Sequence, residues 1–286
     1  MPLDRRSFLL ATGALALAAC GSDKSSGGGG SANGIKPAYL LQPRFAREMI
    51  VPGTSRMPFS LGDSGALLSD GPQTLTAKIV DDAGNVVIPT LSAKRRRVTE
   101  GIVYWDFHPT LDAVGQYTIV LDGGDPNGTA ISVTAPSEVP IPYPGQQLPP
   151  FDTPTTDAPR GVDPICTRLA GGACPFHAMT LTAALATGKP VAYLIGTPAH
   201  CEFGTCAPGL EFLITAGKRL GDKIAIVHAE VFTDDKATTV APAVEAYNLA
   251  GEPDLWLTDA TGRILTRFEG VWDQTELDEA LAAIVA

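Results

Sequence analysis

Cysteine is scarce, five in 286 residues, so each one can be followed singly. Positive charge is also short: 21 Lys and Arg stand against 31 Asp and Glu, for a formal net charge of −10. The one basic block is Lys94-Arg95-Arg96-Arg97. An acidic field repels phosphate, which excludes nucleic acid as a partner and leaves that block as a solvated strand edge or loop. Long apolar runs are missing too. The longest, Phe8 to Ala19, falls short of the roughly 20 residues a bilayer span needs. No cofactor is expected.

Arg5 and Arg6 precede that run, the layout of an export signal over residues 1–19. Arg5-Arg6-Ser7-Phe8-Leu9 resembles the twin-arginine export motif. Leu17-Ala18-Ala19-Cys20 resembles the lipobox of bacterial lipoproteins, which implies cleavage before Cys20 and its acylation. More than one acyl chain anchors stably. The expected location is the outer face of the cytoplasmic membrane of a bacterium. Residues 20–37 then form a Gly/Ser tether with no capacity for a core.

Residues 38–135 read as all-β. Leu75, Ala77 and Ile79 alternate, as do Tyr117, Ile119 and Leu121, and Gly and Pro turns separate short strands. Leu111 to Tyr117 resembles the tyrosine corner of immunoglobulin-like domains, which implies a β-sandwich. Residues 136–165 carry nine prolines, from Pro136 to Pro164, and read as a semi-rigid linker. Residues 166–286 change rhythm to β-α-β-α-β-β-α. Leu210, Leu213, Ile214 and Leu220 share a helical stripe, and Thr275 is the expected cap of the last helix.

Cys201 and Cys206 lie between the first strand of that unit and its helix. This order is similar to thioredoxin over roughly residues 178–286. The fold class implied is an α/β thioredoxin-like C-terminal domain behind an all-β immunoglobulin-like N-terminal sandwich. In that family a cis-proline faces the redox cysteines and leaves backbone free to pair with a substrate chain; Pro253 takes that place. The departures are four residues between the cysteines instead of two, His200 where thioredoxins have Trp, and acids on both sides of Pro253. The family also keeps a buried acid near its dithiol, a role Glu230 could fill.

Residues five apart in one α-helix are rotated about 140° from each other, so a bridge between Cys201 and Cys206 needs at least one of them in the preceding loop. A helix N-terminus and the neighbouring His200 would both favour a thiolate. Cys201 is the expected nucleophile and Cys206 the resolving thiol, acting on cysteine-containing exported proteins. Two alternatives stay open. One is a non-catalytic binding or scaffold lipoprotein with a permanent staple. The other is a copper(I) site from Cys201, Cys206, His200 and His177. With Cys20 set aside, four cysteines allow three pairings, and the simplest adds a structural disulfide between Cys166 and Cys174. His228 reads as a core residue, and Trp256 and Trp272 as packing.

Overall fold

The computed structural model describes residues 34–285; the expected export signal, Cys20 and most of the tether lie outside them. Among the described residues no helix is long and apolar enough to cross a membrane.

The N-terminal part contains β1 (Tyr39–Pro43), β2 (Gly53–Thr54), β3 (Met57–Asp63), β4 (Ala66–Leu67), β5 (Thr74–Asp81), β6 (Val86–Thr99), β7 (Ile102–Phe107), β8 (Thr110–Leu111), β9 (Gly115–Leu121) and β10 (Thr129–Val133). Hydrogen bonding links them in the order β1-β3-β7-β6-β5-β9-β10, with β4 beside β3 and a separate β2–β8 pair. Every one of these pairings is antiparallel. The long β6 makes the turn: its first half pairs β5 and its second half pairs β7. The two halves close on one apolar cluster that includes Phe59, Trp105, Phe107, Leu75 and Ile119. The alternation in β5 and β9 buries Leu75, Ala77 and Ile79 with Tyr117, Ile119 and Leu121, as period two requires. The Tyr117 hydroxyl donates to the Ala113 carbonyl, four residues upstream, at 2.9 Å.

The C-terminal part contains α1 (Leu181–Leu185), β11 (Val191–Ile195), α2 (Cys206–Leu220), β12 (Ala225–Ala229), α3 (Pro242–Ala246), β13 (Asp254–Thr258), β14 (Ile264–Glu269) and α4 (Gln274–Ile284). Its sheet runs β12-β11-β13-β14. β11 pairs in parallel with β12 and antiparallel with β13, which pairs antiparallel with β14. Every residue of β11 is buried because both faces are covered. Val191, Tyr193 and Ile195 face one cluster with Trp256 and Tyr247. Ala192 and Leu194 face the other, with Leu210 and Leu213 of α2 and Leu277 and Leu281 of α4.

Three details differ from the sequence reading. The proline-rich stretch 136–165 is a strap on the C-terminal part and not a free linker. Ile141 and Leu148 enter its core, and the Pro142 and Pro149 carbonyls accept from Trp256 Nε1 and the Tyr247 hydroxyl. Proline has no N–H to donate but keeps a full acceptor, so such a segment can serve buried donors without entering a sheet. The cap of α4 is Asp273, whose carboxylate accepts from Glu276 N at 2.8 Å; Thr275 lies inside the first turn. The basic block lies in β6, and Arg96 is no solvated residue: it pairs with Asp106, Asp273 and Glu279.

Arg96 belongs to the seam between the two parts. Arg56 donates to both carboxylate oxygens of Glu276, Tyr104 donates to the same carboxylate, and Asp273 N donates to the Tyr104 hydroxyl at 2.9 Å. Val98, Tyr104 and Val271 pack beside them. Gly270 has φ +68, and a Cβ there would lie 2.1 Å from the Arg44 carbonyl oxygen, so only glycine allows this approach.

Candidate redox site and an adjoining thiol–imidazole cluster

Cys201 and Cys206 form a disulfide with a Cα–Cα distance of 6.0 Å. Cys206 is the first residue of α2, and Cys201 lies in the loop before it. The Cys206 backbone N–H donates to Cys201 Sγ at 3.3 Å, so the first amide of the helix points at that sulfur. Cys201 is partly exposed, whereas Cys206 is 1% exposed. The imidazole of His200 packs edge-on against Phe232, with ring centroids 6.3 Å apart.

The Glu252–Pro253 peptide bond is cis. A Cβ placed on Gly196 would lie 3.2 Å from Pro253 Cβ and 3.7 Å from Cys206 Sγ, so the bare Gly196 backbone is what separates proline from dithiol. The Pro253 carbonyl accepts from Gly270 N at 2.8 Å. Glu252 turns its carboxylate inward. Oε2 accepts from Thr197 N at 2.6 Å and lies 3.4 Å from Cys206 Sγ. Burial, with a smaller contribution from the charges of Glu230 and Glu202, pushes the Glu252 carboxyl up to about 7. The other acid beside the proline, Asp254, is turned away and held in a bidentate pair with Arg267, at 2.7 and 3.1 Å.

Glu230 does not fill the proton-relay position that sequence suggested for it. It follows the end of β12, is buried, and accepts from Thr167 N at 2.7 Å and from the Thr167 hydroxyl at 2.9 Å. The Thr167 hydroxyl lies 3.2 Å from that of Thr197. This polar chain joins the loop of Cys166 to the wall of the dithiol. Glu252 could have been singled out in the sequence by its place just before Pro253.

At the start of α2 is a groove of about 250 Å³ lined by Arg168, Leu169, Pro198, Pro208 and Glu211. Arg168 and Glu211 pair across it at 2.6 and 2.9 Å. Leu169 is 70% exposed, and Phe203, two residues after Cys201, is 54% exposed.

The bridge expected between Cys166 and Cys174 is not formed; both are free thiols. They converge with two imidazoles. His228 Nδ1 lies 3.8 Å from Cys166 Sγ, 3.4 Å from Cys174 Sγ and 3.2 Å from His177 Nε2. The four atoms all lie within 4.8 Å of one another. Hydrogen bonding from Cys174, and then from both histidines, makes Cys166 the more acidic thiol, while the shared bond and burial push Cys174 up. The copper set read from the sequence is therefore divided: His177 belongs with Cys166 and Cys174, and the carboxylate nearest the dithiol is Glu252. A signal was present in Cys174-Pro175-Phe176-His177. These residues lead into and form a 3-10 turn, where positions three apart lie on one face.

No family model matches this chain, and no curated protein does. Solved structures with partial likeness include a thiol:disulfide interchange protein of the thioredoxin family from Chlorobium tepidum TLS, 14% identical, with TM-score 0.36, covering 51% of this chain and 99% of its own. A putative thiol:disulfide interchange protein DsbE from Chlorobium tepidum gives the same values. The C-terminal domain of a putative thiol-disulfide oxidoreductase from Bacteroides thetaiotaomicron is 13% identical, with TM-score 0.35, covering 50% and 95%. A likeness at that level carries no weight for chemistry, which is read from the site's own atoms.

Proposed function

We propose that this chain is a membrane-anchored, extracytoplasmic, thioredoxin-like protein that exchanges thiols and disulfides with cysteine-containing exported proteins, carried on an immunoglobulin-like N-terminal sandwich. The observation that carries the reading is the asymmetry of the pair. Cys201 is reachable and receives a helix-start amide, while Cys206 is sealed beside a carboxyl near neutrality. A permanent staple needs neither feature.

The reaction begins from the disulfide. A thiolate of the partner attacks Cys201 Sγ, the Cys201–Cys206 bond breaks, and a mixed disulfide forms. Cys206 leaves and takes its proton from the Glu252 carboxyl. The partner's second thiol, deprotonated, then attacks its own sulfur in the mixed disulfide and releases Cys201 as a thiolate, which the Cys206 amide and the helix N-terminus stabilise. The partner has lost two electrons to the dithiol. In reverse, Glu252 accepts the Cys206 proton and the partner is reduced. Among the described residues the backbone N–H and C=O of Glu252 make no hydrogen bond, which leaves them for a partner strand.

The test is exchange with a peptide dithiol and the reduction potential of the pair. Exchange should vanish in Cys201→Ser, and Cys206→Ser should accumulate a mixed disulfide through Cys201. A potential below about −300 mV with no exchange would mark a staple and leave the scaffold reading.

A further inference from the structure

We propose that Cys166, Cys174, His177 and His228 form a closed tetrahedral site for a zinc(II) ion, distinct from the dithiol and independent of its redox chemistry. The first argument is a count of protons. His228 Nε2 donates to the Gly196 carbonyl at 2.9 Å, because a carbonyl can only accept. Neutral His228 therefore presents a single lone pair on Nδ1. Three potential donors point at that lone pair: both thiols and His177 Nε2. One lone pair accepts from one donor, so protons alone would leave the others to the weak sulfur acceptors of the two cysteines. A cation that takes one lone pair from each of the four atoms satisfies them all, and the two thiol protons pass to solvent.

The second argument is size. Zn–S bonds of about 2.3 Å and Zn–N bonds of about 2.0–2.1 Å give tetrahedral edges of about 3.4 Å between nitrogens and about 3.6 Å between nitrogen and sulfur. The corresponding separations are 3.2 Å for the nitrogens and 3.4 and 3.8 Å from His228 Nδ1 to the sulfurs. The third argument is support around the ligands. The Gly196 carbonyl fixes the His228 tautomer, which is the usual outer-shell arrangement for a metal-bound imidazole. Cys174 N donates to Cys166 Sγ at 3.4 Å, which favours a thiolate there. Two sulfurs and two imidazole nitrogens with no place left open make a structural zinc site, one that would clamp the loop of residues 166–177 onto the end of β12.

The experiment uses the full chain in a Cys201→Ser/Cys206→Ser background, so that besides Cys20 the remaining thiols are Cys166 and Cys174. The reduced protein is titrated with Zn(II), with Co(II) and with Cu(I). One equivalent of Zn(II) is expected, as is a tetrahedral cobalt spectrum with a thiolate charge-transfer band. Chelation should lower the melting temperature. Cys174→Ser and His228→Gln should lose this uptake; should either fail to fold, the cobalt spectrum of the parent still decides. Cobalt without thiolate bands, uptake unchanged in a folded Cys174→Ser, or Cu(I) held where Zn(II) is not would overturn the assignment. None of these readouts depends on thiol exchange, so this proposal and the proposed function can fail separately.

Discussion

Two sulfur pairs stand near one glycine, and their surroundings separate them. Cys201 and Cys206 meet a helix amide on one side and a carboxyl on the other, with one sulfur open to solvent. Cys166 and Cys174 meet two imidazoles, and neither sulfur is bonded to the other. Gly196 touches both neighbourhoods: its carbonyl holds His228, and a Cβ there would meet Cys206 and Pro253. Spacing along the chain, five residues in one pair and eight in the other, does not distinguish these fates. The difference comes from what stands within 4 Å of each sulfur.

The strongest way to break the contrast is Cys201→Ser. Exchange should fall to background, and residual turnover through Cys166 or Cys174 would mean that the two pairs share one chemistry. Next in size is Arg56→Ala, in the seam. It strands Glu276 in the seam, and losing one partner of such a buried pair costs about 3–5 kcal/mol. Denaturant melts should show that loss, while alkylation after mild reduction should still label Cys201 before Cys206.

Glu252→Gln sharpens the comparison through pH. With the Glu252 carboxyl raised from 4.5 to about 7, the folded chain holds a proton there that the unfolded chain has released. Stability therefore falls as pH rises from about 4.5 to about 7 and levels off above, a contribution on the order of 3 kcal/mol. Glu252→Gln, which can still accept from Thr197 N, should flatten that slope relative to the parent and remove an inflection near pH 7 from the exchange rate. Equal slopes in the two proteins would remove Glu252 from the proton path. The smallest effect is expected for Gly196→Ala. The new methyl would press on Pro253 at 3.2 Å, for about 1–3 kcal/mol of overpacking. It should disturb both the exchange rate and zinc uptake; an effect on one alone would show that the wall between them is not shared.

The strand and helix order of the C-terminal part could be read from sequence because β11 is a continuous apolar run and α2 carries a clean stripe. Helix geometry required at least one of Cys201 and Cys206 to lie in the preceding loop, and Cys201 does. Glu252 was visible as an acid next to Pro253, but its direction was not: which of Glu252 and Asp254 faces the sulfurs depends on Arg267 claiming the latter. The Cys174–His177 spacing was readable, whereas its meeting with His228, 51 residues after His177, is a product of the fold. The strap was misread because proline density marks an extended chain equally well whether that chain is solvated or docked.

That strap decides where the molecule can be divided. Cutting ahead of Cys166 would deprive Trp256 and Tyr247 of the carbonyls that receive their hydrogens and would wet the apolar wall that Ile141 and Leu148 cover. A transplantable C-terminal module should begin no later than Pro140, some 26 residues before its first thiol.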